Sequence, residues 1–300
     1  MSSILVVGSV AYDSISTPSG SRERILGGSA NYFSLAASLF APVRVVGVVG
    51  EDYQDQDLDL LKKRGIDIAG LQKVKGETFT WAGRYEKDMN EAITLATHLN
   101  VFENFHPEIP AGYRNSEVVF LANIDPTLQL QVLEQVQRPR LVAADTMNYW
   151  IHSKKSELLK VLSKIDVLLI NEGELHELTG SWNTIRGAKE IMAMGPRSVV
   201  IKRGEYGFVL FNESRYFILP AFPVEDVVDP TGAGDTFAGG FLGYLAKIGR
   251  VPSREDLKQA CQFGCLLASF TVQDFGLEAI RKVSLAEVDQ RFQAYRQVIS

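Results

Sequence analysis

The stretch Val227 to Phe241, Val-Val-Asp-Pro-Thr-Gly-Ala-Gly-Asp-Thr-Phe-Ala-Gly-Gly-Phe, constrains this chain more than any other. Two β-formers run into a Pro-Thr turn, and small residues follow at Gly232, Ala233 and Gly234. Asp235 then opens an apolar run, Phe237, Phe241, Leu242, Leu245 and Ile248, at roughly helical spacing. The pattern predicts a turn feeding a helix N-terminus, where several backbone N–H groups lack partners and the positive end of the helix dipole lies behind them. Residues without bulk let a phosphate approach that backbone, and a carboxylate at 235 can take a proton from an incoming alcohol. Together these features suit phosphoryl transfer to a hydroxyl. The plainer alternative is a tight turn with Asp235 as an ordinary first-turn acid.

The remaining sequence reads as a single α/β domain. Short apolar runs at Ile4–Val7, Val43–Val49, Val118–Leu121, Leu141–Ala144, Val167–Ile170 and Ser198–Lys202 suit strands buried on both faces of a parallel sheet. Helical phrases separate them, among them an alanine-rich segment to Phe40, Gln54–Arg64 and Thr127–Gln137, and Leu257–Thr271 and Ser284–Ile299 follow the signature. Residues 14 to 26 are polar and turn-rich. From Thr78 to Val101 β-formers mix with polar residues around Lys87-Asp-Met-Asn90, which predicts an inserted antiparallel hairpin. Phe79, Trp81 and Tyr85 fall on one face of it, sized for a subunit contact, for stacking on a substrate ring, or for packing on the body of the same subunit.

Composition narrows the function classes. A formal charge of −5, from 31 basic and 36 acidic residues, offers no surface for nucleic acid or membrane. Cys261 and Cys265, without His or Cys partners nearby, read as reduced core thiols, and with no basic-plus-apolar leader a cytoplasmic enzyme is expected. A dinucleotide oxidoreductase would need Gly-x-Gly-x-x-Gly after the first strand, where only Gly8-Ser-Val-Ala stands.

The segment from Asp229 to Asp235 resembles the Asp-Thr-x-Gly-Ala-Gly-Asp signature of the ribokinase-like (PfkB-type) carbohydrate and nucleoside kinases, with Pro230 a variation. Asn171-Glu-Gly-Glu174 is similar to that family's Asn-x-x-Glu element, although the same four residues also make a capping box. The resemblance runs from residue 4 to about 280. It implies a three-layer α/β/α domain with a mostly parallel central sheet, spanning residues 1–300, and a small β-sheet lid built from about 12–25 and 78–101 that often pairs subunits into a homodimer.

What the resemblance implies for the site is specific. Asp235 would be the catalytic base, with Gly232, Ala233 and Gly234 forming the anion hole. Asp13, in a Gly8-Ser9-x-x-x-Asp13 context, would grip the acceptor with Gly28 and with Asn31 or Tyr32. Here the chain departs from the family, since Tyr32 takes the place of the usual asparagine and Asn31 falls one residue early. One residue on a helix is a turn of about 100°, so the two cannot both face the acceptor. Asn123 would be a further acceptor contact, near where family members supply one. Asn171, Lys202, Gly204, Gly207 and Cys265 would line the nucleotide site, and Glu174 would reach Mg²⁺ through water. Asp229 and Thr231 fall in the region that holds an activating monovalent cation, K⁺, in some members. The expected function is ATP-dependent phosphorylation of a hydroxymethyl on a sugar or sugar-like alcohol, with a nucleoside acceptor as the alternative and a non-catalytic nucleotide- or sugar-binding regulator as the reading from another class.

Overall fold

The computed structural model of the protein describes residues 2–213 and 215–299. The strands in chain order are β1 (Ile4–Val7), β2 (Ala11–Thr17), β3 (Gly20–Gly27), β4 (Val43–Val49), β5 (Asp67–Lys73), β6 (Phe79–Tyr85) and β7 (Ala92–His98). They continue as β8 (Val118–Leu121), β9 (Leu141–Asp145), β10 (Val167–Asn171), β11 (Ser198–Lys202), β12 (Phe208–Asn212) and β13 (Arg215–Leu219). The helices are α1 (Ser29–Ala37), α2 (Asp55–Lys63), α3 (Pro126–Gln135), α4 (Asn148–Ser153), α5 (Lys155–Leu162), α6 (Glu172–Thr179), α7 (Thr184–Ala193), α8 (Ala233–Ile248), α9 (Arg254–Thr271) and α10 (Leu285–Val298).

A nine-stranded sheet runs β13-β12-β11-β10-β9-β8-β1-β4-β5. It is parallel from β5 to β11 and turns antiparallel at the β12 and β13 edge. Alternation along each central strand sends side chains to two cores: Ile4 and Val6 pack with α1, α8, α9 and α10, while Leu5 and Val7 pack with α3, α5, α6 and α7. Apolar side chains thus leave the sheet on both faces, which is why these strands read as continuous apolar runs. All nine residues of α1 are buried, since it lies between the sheet and α8.

A second sheet of four strands, β3-β2-β6-β7, stands beside the first. The predicted hairpin is present as β6 and β7, paired antiparallel, and β2 joins it to β3. Residues read as turn-rich from 14 to 26 are largely these two strands; β3 exposes most of its length, so a polar sequence suits it. Strands β5, β12 and β13 had no counterpart in the sequence reading. No helix among the described residues is long and apolar enough to cross a membrane.

The parallel strands deliver polar residues to one end of the main sheet. Asp145, Asn171 and Lys202 are the last residues of β9, β10 and β11, three strands in succession. Ligands of open α/β sheets bind at this carboxyl end.

Candidate active site

Gly232 caps α8 with φ of 72°, a left-handed conformation that glycine adopts without strain. It also lies on the ring of Tyr32, and any β-carbon there would collide with it. The turn leaves its amides arranged as the sequence suggests, with one exception. Thr236 N–H closes the first helical bond to the Gly232 carbonyl at 2.8 Å, and Ala233 N–H turns back to the Pro230 carbonyl at 3.1 Å. Among the described residues the N–H groups of Gly232, Gly234 and Asp235 have no protein partner, so three amides remain in the nest rather than four. The Lys202 ammonium stands at its flank, 3.1 Å from where a Gly234 β-carbon would be.

Carboxylates crowd this end of the sheet. Burial, and then Asp145, raise Asp235 to about 7, with Lys202 opposing. Asp13, 4% exposed, is also raised to about 7, by burial and by Asp229 and Asp235, while the Gly28 N–H holds it down. Glu174 is raised to about 8 by burial and by Asp145. Lys202 keeps its charge: burial works against it, but Asp145 at 2.8 Å and Glu174 outweigh that. Three raised carboxylates and one ammonium beside an anion nest form a site that can both accept a proton and hold phosphate charge.

The Asn171 and Glu174 pair forms the reciprocal capping box, with Glu174 N–H donating to Asn171 Oδ1 at 2.8 Å and Asn171 N–H to Glu174 Oε2 at 2.9 Å. This leaves the Asn171 side-chain NH₂, at an exposed position, facing away from the cap bonds. Asp229 is fully buried and serves as a staple, its two oxygens accepting the N–H groups of Thr231 at 2.9 Å and Gly276 at 2.8 Å. Among the described residues no three His, Cys, Asp or Glu side chains converge as a metal cage. Mg²⁺, which keeps most of its waters and takes one or two carboxylates beside substrate phosphates, needs no such cage, and Asp145 and Glu174 are the neighbouring carboxylates that would face it.

The structure separates Asn31 from Tyr32. Asn31 is buried, donates from Nδ2 to the Gly27 carbonyl at 2.7 Å, and points toward Tyr53. Tyr32 faces the site, and its phenol is held well above the ordinary range by burial and by Asp13, Asp229, Tyr85 and Asp235. Its hydroxyl is buried without a hydrogen-bond partner. Gly28 begins α1 beside Asp13. Asn123 accepts the Trp150 indole N–H at 3.0 Å. Gly204 and Gly207 make a tight turn after β11, closed by Arg203 N–H to the Gly207 carbonyl at 2.8 Å. Cys265 is not among the carboxylates; it packs in the core near the Pro220 carbonyl and Tyr295.

Two participants carried only weak sequence signals, Asp145 in an Asp145-Thr-Met-Asn148 run one residue wider than the family's Asp-x-Asn element and Tyr85 among the hairpin aromatics. Asp145 ends β9 and pairs with Lys202, a contact between residues far apart in the chain. Tyr85, the last residue of β6, accepts a 3.2 Å hydrogen bond at its hydroxyl from Thr231 Oγ1 of the anion loop. The alternation of aromatic residues in the hairpin was the available signal for Tyr85.

Residues 1–282 match the model of the pfkB family carbohydrate kinases. A cytidine kinase of Thermococcus kodakarensis is 30% identical over 86% of this chain and 97% of its own length. A ribokinase of Bacillus subtilis is 27% identical over 93% of this chain and 95% of its own. Among solved structures, a Burkholderia thailandensis nucleoside kinase in complex with inosine superposes with a TM-score of 0.82, at 22% identity, over 97% of this chain and 98% of that one.

Proposed function

The chain belongs to the pfkB family of carbohydrate kinases, and from that premise we propose that it transfers the γ-phosphoryl group of ATP to a hydroxymethyl of a small sugar or sugar-like alcohol, with Asp235 as the base. The observation that carries this is the position of Asp235 beside three unpartnered amides and the Lys202 ammonium.

The acceptor O–H gives its proton to the Asp235 carboxylate as its oxygen bonds to the γ-phosphorus, and the bond from that phosphorus to the bridging oxygen of ADP breaks. The N–H groups of Gly232, Gly234 and Asp235 and the Lys202 ammonium take up charge on the three equatorial oxygens. Asp145 holds Lys202 in place at 2.8 Å. Mg²⁺, when bound with the nucleotide, would neutralise phosphate charge near Glu174 and Asp145, with the Asn171 amide donating to a phosphate oxygen. Asp13, Gly28 and Tyr32 would orient the acceptor, and the small sheet would cover it as a lid against water. Cys265, Gly204 and Gly207 belong to the nucleotide side in this reading. Asp229 would serve a monovalent cation only indirectly, by holding the 271–276 loop.

Nucleoside acceptors are the second reading, supported by the 30% identity with a cytidine kinase. The test is ATP consumption against sugars, sugar acids, inositol and ribonucleosides, with Mg²⁺ and with or without K⁺. Asp235→Asn should lower turnover about 10²- to 10⁴-fold while keeping ATP binding. Normal turnover in that variant would remove Asp235 from its role. ATP binding with no acceptor turned over would favour a silent binder.

A further inference from the structure

The β6–β7 hairpin reaches further than an acceptor cover requires. Where β6 enters the turn, Tyr85 accepts from Thr231 Oγ1 of the anion loop. Beyond it, Met89 packs into a small apolar cluster with Ile15, Tyr85, Phe275 and Val228. At its tip, Asn90 lays its side-chain oxygen on Gly204, in the space a β-carbon there would occupy. Gly204 has φ of 55° and opens the Arg203–Gly207 turn directly after Lys202.

Both sides of this contact are braced. Asp88 Oδ1 accepts the Asn90 backbone N–H at 3.0 Å and its Nδ2 at 2.9 Å, which fixes the direction of the carboxamide. Opposite, Arg203 Nε lies 3.1 Å from Glu172 Oε1, which also accepts from Thr184 at 2.7 Å, so the turn is tied to the first residue of α6. The tip of one sheet therefore touches a turn of the other that follows the phosphate-facing lysine.

We infer that Asn90 is a positioning residue of the phosphate-donor side, seated on Gly204 so that the hairpin grips the Arg203–Gly207 turn when nucleotide is bound. This rests on the reading of that turn as part of the donor site. Its consequence is a coupling: nucleotide that orders the turn also orders the hairpin over the acceptor, and by reciprocity acceptor under the hairpin tightens the donor.

The full chain is tested with Mg²⁺ and a non-hydrolysable ATP analogue alone, by calorimetry and by hydrogen exchange of residues 86–91. In the natural protein the analogue should slow exchange in this segment. Asn90→Ala should weaken analogue binding about 3- to 10-fold, the weight of one lost polar contact, and abolish the slowing, with unchanged thermal unfolding in the absence of nucleotide. Lys202→Met separates the two readings. If it weakens the analogue while Asn90→Ala binds and protects as the natural protein does, the role of Asn90 is overturned and the kinase reading stands. If the natural protein does not bind the analogue, both fall.

Discussion

Asp13 and Asp235, each raised to about 7, make protonation a measurable property of this site. The base must be ionised to work, so kcat/KM for the acceptor should rise with pH through about 7 and fall about tenfold per unit below it. The same shift has the opposite sign for stability. Between about pH 4, where an unfolded carboxyl ionises, and about 7, the folded state binds more protons than the unfolded one, so stability falls as pH rises through that window. Asp235→Asn should therefore be harder to unfold than the natural protein above pH 7, by roughly 1–3 kcal/mol in urea titrations, while losing turnover. Equal stability at pH 8 would show that Asp235 carries no such burden. Gly232→Ala meets both the φ of 72° and the Tyr32 ring. It should cost about 1–3 kcal/mol in the same titration and depress turnover, and an unchanged midpoint would contradict the close packing of Tyr32 beneath the loop.

At the scale of elements, the capping box of α6 sets two roles on the same side chain. Asn171→Asp keeps a good cap, so its unfolding midpoint should stay near that of the natural protein. It should nonetheless raise the KM for ATP, because a carboxylate cannot donate to a phosphate and repels it. Asn171→Ala should lose about 1 kcal/mol of stability as well. If the two variants shift KM and stability in step, Asn171 is a cap alone. Two-sided burial made β1, β4, β8, β9, β10 and β11 legible as apolar runs, while β12, Phe208-Val-Leu-Phe-Asn212, is buried as fully and stands outside that reading. Strand β5, Asp67-Ile-Ala-Gly-Leu-Gln-Lys73, is a sheet edge with several exposed residues and carries no such run. Strand β13 is an edge of the same kind, and β3 an exposed edge of the small sheet, so their polar residues resemble loops. The turn of 232 to 235 could be read locally because cap, nest and acid lie within four residues. The Asp145–Lys202 pair, the seating of Asn90 on Gly204 and the choice of Tyr32 over Asn31 depend on how separate segments meet, which no local pattern encodes.

At the scale of the whole molecule, the small sheet presents its outer edge to solvent. Strand β7 leaves Ile93 41% and Leu95 59% exposed beside unpaired backbone groups, an edge of the kind that recruits another strand. Pairing of two copies through this sheet should appear as a dimer in sedimentation velocity, converted to monomer by Leu95→Lys. A natural protein that sediments as a monomer at tens of micromolar would remove the lid from that role. The deep burial of α1 against α8 has a consequence for the making of the protein. During translation α1 leaves the ribosome early, with Tyr32, Phe33 and Leu35 on its surface, and the helix that covers it is among the last to be synthesised. At about 5–20 residues per second, that exposure lasts on the order of ten to forty seconds. A nascent chain so long without its closing partner is a client for ribosome-associated chaperones, and any message cut short before α8 yields a product that is both inactive and sticky.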